Sequence, residues 1–266
     1  MLENNLTPDH PSKPIRCFIG LEVRAAWAQW NFPHVVPPDS RHATLAFLGS
    51  QGLDFVLAQC ASIRIHPLPA PLLFGKSWLE LPERHPRVLS LFSPPVTQEE
   101  LLLSWVAQFS TLFSCKEHEE WLPHVSIARV PYEIPVLQPL PLFGHALHLY
   151  ESHPHLQYVP RFTWPLAPAV EEIDHPADRA FRIRGMSWAD LALGLLWALA
   201  QEAPALLTDF QSLLSVSSHQ EAVAALNHLL SACDAQVGVP FKAITYHGRW
   251  NEEENGSMVW EVVIDV

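Results

Sequence analysis

The chain has 266 residues, 48% of them hydrophobic, which suffices for one large domain or two small ones and excludes global disorder. Its formal net charge of −12 argues against a protein that wraps nucleic acid by bulk electrostatics. No apolar run reaches the length of a bilayer span, and the polar opening MLENNLTPDHPSKP lacks a signal-peptide core.

Residues 1–14 read as a flexible tail. Strands are expected at Arg16–Val23, His42–Leu48, Leu73–Glu80, Val88–Phe92, His124–Arg129 and Ala146–Glu151, where β-branched and apolar residues alternate with polar ones. Helical periodicity falls near Phe55–Ile63 and over Thr97–Phe113, where Thr97 and Glu100 have the spacing of a capping box. The proline-rich stretch 163–170 (TWPLAPAV) marks a linker. Beyond it come a strand at Ala180–Arg184, a helix at Trp188–Gln201 with Ser187 as N-cap, and a helix at Gln220–Ala235. Two closing strands follow, Phe241–Arg249 and Ser257–Asp265, joined through an Asn255-Gly256 turn. The four cysteines, Cys17, Cys60, Cys115 and Cys233, are scattered without a C-x-x-C pair. They read as reduced, buried thiols of a cytoplasmic protein rather than zinc ligands. Charge is uneven: residues 1–165 carry 11 basic and 14 acidic side chains, residues 166–266 carry 5 and 14. The first part can bind an RNA end through a local site, while the second suits cations or a basic protein partner.

Two short strings carry the chemistry, His42-Ala-Thr44-Leu and His124-Val-Ser126-Ile. In a strand, residues i and i+2 share a face, so each histidine shares one with its hydroxyl residue. By the same parity Ala43, Leu45 and Phe47 take the other face. Two such strands side by side would gather two imidazoles and two hydroxyls around one cleft, suited to phosphate-ester chemistry. With 15 histidines in the chain, a single His-x-Thr would mean nothing. Two copies, both in apolar strand-like runs, are informative.

At these residues the chain resembles the two-histidine (2H) phosphoesterases, and within them the RNA 2',3'-cyclic phosphodiesterases also called 2'-5' RNA ligases. The opening strand Arg16-Cys-Phe-Ile-Gly-Leu21, the Pro86–Leu91 strand and the Leu149–Ser152 … Tyr158 stretch match as well, so the likeness covers about residues 15–162. It implies an α+β, bilobal fold with the two motif strands lining a central cleft. It also implies cofactor-free opening of a terminal 2',3'-cyclic phosphate to the 2'-phosphate. His42 would be the general acid and His124 the general base, with Thr44 and Ser126 donating to the phosphoryl oxygens. Arg129, five residues after His124, would neutralise the phosphate, or else is a solvated strand-end arginine. Phe47 would stack a base, or else is a core phenylalanine. The second hydroxyl is serine where threonine is commoner; either can donate.

The last hundred residues carry a second set: His175-Pro-Ala-Asp178, Lys242-Ala-Ile-Thr-Tyr-His247 and a terminal Asp265-Val266. If Asp178, Asp265 and the chain-terminal carboxylate of Val266 converge, they form an oxygen-rich site for a hard cation. Otherwise Asp178 caps a turn and Asp265 is a solvated terminal residue. These strings resemble archease, the activator of the GTP-dependent tRNA-splicing ligase. The likeness covers about residues 170–266 and implies a smaller α+β sandwich holding Ca or Mg at Asp178, Asp265 and Val266, with His175, Lys242 and His247 as nearby functional candidates. Relatives are some forty residues longer, and Pro176 stands where they have threonine.

The combined reading is a cyclic-phosphate hydrolase (residues 15–162) joined by 163–170 to a shortened archease-like domain (171–266), acting on RNA ends in tRNA splicing or repair. Its partners would be RNA ends and the splicing ligase, with no DNA and no membrane. Two rivals stay open: a scaffold that binds the ligase or RNA without turnover, and a hydrolase of another 2'-linked substrate.

Overall fold

A computed structural model describes residues 14–65, 68–85, 87–115, 121–131, 133–176, 178–245 and 248–266. The tail expected at 1–14 lies outside this set except for Pro14. Within it the first sheet has eight strands: β1 (Ile15–Arg24), β2 (His42–Gln51), β3 (Leu72–Gly75), β4 (Ser77–Leu81), β5 (Val88–Phe92), β6 (His124–Arg129), β7 (Leu140–His153) and β8 (Gln157–Pro165). Their order is β3-β7-β1-β2-β6-β5-β4, with β8 beside the later half of β7, and all neighbours are antiparallel. The sheet curls until β3 meets the residues that follow β5: Phe74 N donates to Pro94 O (3.0 Å) and Val96 N to Leu72 O (2.8 Å). This curl divides the strand expected over Leu73–Glu80. β3 closes one end of the sheet and β4 belongs to the other, with a break at Lys76.

Two helices cover one face of the sheet. α1 (Leu53–Ser62) buries Val56 and Cys60, four residues apart, and α2 (Glu99–Leu112) buries Leu102, Trp105 and Phe109 at helical spacing. These residues share a core with Ala43, Leu45, Ala46 and Leu48 of β2. Truncating a buried phenylalanine such as Phe109 costs about 3–5 kcal/mol. The expected capping box is not formed. Gln98, in the left-handed region (φ 57°), holds the N-cap position, and the Thr97 hydroxyl accepts from Leu72 N instead (2.9 Å). Closing the sheet uses that hydroxyl, and Glu99 and Glu100 remain to favour the helix dipole.

The second sheet has the order β11-β13-β10-β9, from β9 (Val170–Ile173), β10 (Arg179–Gly185), β11 (Ala243–Ile244) and β13 (Met258–Asp265), with β12 (Arg249–Glu252) also on β13. α3 (Trp188–Ala200) is buried throughout its last ten residues. Its N-cap is Ser187, whose Oγ accepts from Asp190 N (3.1 Å). α4 (His219–Val237) is capped likewise by Ser218. The strand expected over Phe241–Arg249 is two pieces, β11 and β12. Between them the chain closes on β13 so tightly that a Cβ at Gly248 would lie 2.3 Å from Glu261 O. The Asn255-Gly256 turn is present between β12 and β13, with Gly256 at φ +81°.

The stretch 163–170 is not a free connection. Thr163–Pro165 finish β8, Trp164 Nε1 donates to Ile63 O (3.2 Å) inside the first core, and Val170 opens β9. The two cores also touch directly. Trp197 of α3 donates from Nε1 to Leu73 O (2.9 Å), and Leu72, Phe74 and Phe143 pack into the second core. All four cysteines are free. Cys17 and Cys60 are buried, and burial raises their thiols to about 11 and about 12. Among the described residues no helix is long and apolar enough to cross a membrane.

Candidate active site

The motif strands are neighbours. β2 and β6 meet antiparallel at Ala43–Val125. That register sets His42 opposite Ser126 and Thr44 opposite His124, all on one face, with Ala43 and Val125 buried on the other. The histidines are therefore diagonal neighbours, roughly 7–8 Å apart along the backbone and somewhat less at Cβ. A phosphorus with its entering and leaving oxygens fits that span. Each ring is held the same way. His42 Nδ1 bonds Ser40 O and His124 Nδ1 bonds Leu122 O, both at 2.8 Å. A carbonyl oxygen can only accept, so both Nδ1 atoms carry hydrogen and both Nε2 atoms are left for chemistry.

Strict alternation would turn Phe47 and Arg129 away from this face. Each strand instead carries a bulge just past its hydroxyl residue. Against β1, Thr44 pairs with Gly20 and Ala46 with Ile19, so Leu45 is extra. Against β5, Ser126 pairs with Ser90 and Ala128 with Leu89, so Ile127 is extra. Burial follows: Leu45 and Ala46 are both buried, as are Ile127 and Ala128, and the phase is reset by one residue. Phe47, placed on the buried side by parity, thus emerges on the cleft face, 50% exposed with its ring 6.1 Å from Phe18. Arg129 emerges there too. Its charge acts on the Tyr158 hydroxyl, which burial pushes up and Arg129 and Arg16 pull down. The two strings are one device used twice, His-x-hydroxyl-apolar-apolar-X, with X as Phe47 or Arg129.

Aromatic rings enclose His42. Phe18 lies at 4.6 Å, Tyr150 at 4.7 Å and Tyr158 at 4.7 Å between centroids, the last edge-on. Gly20 makes room for them: a Cβ there would lie 3.0 Å from His42 Cδ2. Burial lowers the His42 imidazole to about 4, helped by the nearby charges of His124 and His148 and opposed by the Ser40 bond. Burial lowers His124 as well. The cleft by itself thus holds both rings neutral. A bound anion would favour the protonated form.

Other polar groups at the site were not legible in the motifs. His148 bridges Thr163 Oγ1 (2.9 Å) and Glu22 Oε2 (2.9 Å), one ring away from His42 through Tyr150. Burial works to raise Glu22, but its bonds to His148 and Arg24 win and lower it. Ser90, opposite Ser126, is fully buried, and its Oγ has no hydrogen-bond partner among the described residues. The signal for the cage was the spacing Phe18, Gly20, Glu22 on β1 and His148, Tyr150 on β7, alternate positions whose intervening residues are apolar.

The second set comes together only in part. Arg179 pairs with Ile264, so the register carries Asp178 to a place opposite Asp265. His175 Nδ1 accepts from Asp178 N (3.3 Å). The terminal Val266 oxygen, however, accepts from Lys242 Nζ, whose ammonium already supplies positive charge there. Among the described residues no group of three or more His, Cys, Asp or Glu could hold a metal ion. His247 lies outside the described residues.

No family model and no curated protein matches the chain. Solved structures do. The chain is similar to E. coli LigT in its apo form (22% identity, TM-score 0.44) and to a protein described as a phosphoesterase (22% identity, TM-score 0.44). It is also similar to TT0787 of Thermus thermophilus (18% identity, TM-score 0.39). Each similarity covers 58% of this chain and 99% of the other.

Proposed function

We propose that the chain hydrolyses the 2',3'-cyclic phosphate at an RNA terminus, without a metal, to leave a 2'-phosphate. One observation supports this above the others: the Ala43–Val125 register, which puts both imidazoles and both hydroxyls on one face. Neutral His124 takes a proton from water through Nε2 as the water oxygen bonds to phosphorus. The bond from phosphorus to the 3'-oxygen breaks, and protonated His42 gives that oxygen its hydrogen. Thr44, Ser126 and Arg129 meet the charge growing on the non-bridging oxygens. The roles are those the resemblance implies; for His42 to serve as the acid, the bound anion must raise an imidazole that burial holds at about 4. The relevant assay is hydrolysis of a nucleoside 2',3'-cyclic monophosphate with EDTA present. Turnover in the wild type, lost in both His42→Ala and His124→Ala, is the expected result. Full activity in either variant rejects the assignment, and no turnover by the wild type favours a scaffold.

We also propose that the acidic unit, net −9 over residues 166–266, docks a basic partner of the splicing-ligase type. Stimulation or inhibition of a purified GTP-dependent tRNA-splicing ligase by the full chain is expected. No effect and no binding would rule this out.

A further inference from the structure

The cleft face carries a buried carboxylate that the proposed chemistry does not use. Across the β1–β2 pair Glu22 lies directly opposite His42, as Gly20 lies opposite Thr44. Residues directly opposite share a face, with Cβ atoms about 4.5–5.5 Å apart. Val23 N donates to Arg41 O (3.0 Å) beside them and pins this end of the pair. Glu22 is 9% exposed, and a carboxylate so placed is costly unless it is bonded.

Its bonds are specific. Arg24 Nε donates to Oε1 (3.0 Å), and His148 Nε2 bonds Oε2 (2.9 Å). His148 is itself buried and is held at Nδ1 by Thr163 Oγ1 (2.9 Å). The register sets His148 between Gly20 of β1 and Thr163 of β8. Its ring meets that of Tyr150 at 5.2 Å, and Tyr150 meets His42 at 4.7 Å. The charges around this group come from several elements. Arg24 on β1 and His145 and His148 on β7 act on Glu22, and His124 on β6 and His148 act on His42. Asp39, in the turn before β2, acts with Glu22 on the Tyr150 phenol, which burial already pushes up. The charge of His148 works against a proton on His42. A carboxylate facing the imidazole works for one.

We propose that Glu22 and His148 are a positioning pair for His42: they brace the Tyr150 ring against the imidazole, and the Glu22 carboxylate is the counter-charge for the imidazolium that forms when phosphate binds. This rests on the catalytic reading and names what supports its acid. The test follows kcat for a nucleoside 2',3'-cyclic monophosphate against pH in wild type, Glu22→Gln, His148→Gln and Arg24→Gln. The basic limb reports loss of the His42 proton in the complex. It should move down by about one pH unit in Glu22→Gln, which removes a nearby opposite charge. It should move up, by less, in His148→Gln and Arg24→Gln, which remove cations and leave the carboxylate. The Arg24 side chain is 60% exposed, so that variant carries little risk to folding. A second readout needs no turnover: the pH midpoint of the His42 ring nitrogens with inorganic phosphate bound, which should fall by the same amount in Glu22→Gln. Lost activity with an unmoved limb and midpoint would reduce the pair to packing and overturn the proposal, as would a downward shift shared by all three variants. If the wild type turns over nothing but the midpoint still follows the charge at position 22, the pair stands and the catalytic reading falls.

Discussion

Replacing His42 by glutamine should change how stability depends on pH, and the size of the change follows from burial. The imidazole falls from its ordinary value of 6.5 to about 4 on folding, first because it is desolvated. A folded-state pKa below the unfolded one means that the unfolded chain binds the extra proton as pH drops. Stability from this group is therefore complete above pH 6.5 and is lost as pH falls toward 4. At about 1.4 kcal/mol per pKa unit, the loss amounts to about 3 kcal/mol. The glutamine side chain takes up no such proton. Urea melts of wild type and His42→Gln at pH 7.5, 6, 5 and 4 give the difference in unfolding free energy at each pH, and titrations common to both proteins cancel. The difference should move by about 3 kcal/mol against the wild type across that range. A difference that stays flat would mean that the ring is solvated. A wild type that gains on acidification would mean that the cage of Phe18, Tyr150 and Tyr158 holds a cation even without substrate.

Gly20→Ala places a methyl group 3.0 Å from His42 Cδ2, so the imidazole must shift by a few tenths of an ångström and cyclic mononucleotide turnover should fall about tenfold. A change below twofold would show that the His42 position is not critical. Arg129→Gln should lower kcat/KM by roughly a hundredfold, with partial recovery in Arg129→Lys. Equal activity in all three proteins would return Arg129 to the role of a solvated strand end. The pH profile of kcat/KM should be bell-shaped with its optimum below 6.5, because both histidines are lowered in the free cleft and the singly protonated pair grows as pH falls. The optimum of kcat should lie higher, since the bound phosphate anion favours the imidazolium. A kcat/KM optimum above 7.5 would contradict these environments.

The paired motifs were readable because their chemistry and their strand pattern agree. The bounds of β5 and β6 and the caps Ser187 and Ser218 are local features, and the first three came directly from alternation and capping rules. What alternation misled about was Phe47. A bulge depends on which partner residues fail to pair, information held in β1 and β5 rather than in the motif strand itself. Thr97 failed as a cap for a similar reason: its hydroxyl is taken by Leu72, a residue 25 positions away. The strand expected over Leu73–Glu80 has a continuous β pattern, but only the curl of the whole sheet shows that it must serve two ends.

Convergence of the two imidazoles on one phosphate can be read directly by NMR. Inorganic phosphate is titrated into the wild type while the ring nitrogen resonances of His42 and His124 are followed. Both should move toward the imidazolium with one shared Kd, and His42→Gln should weaken the response of His124. Movement of one ring alone, or two different affinities, would show that the histidines serve separate sites.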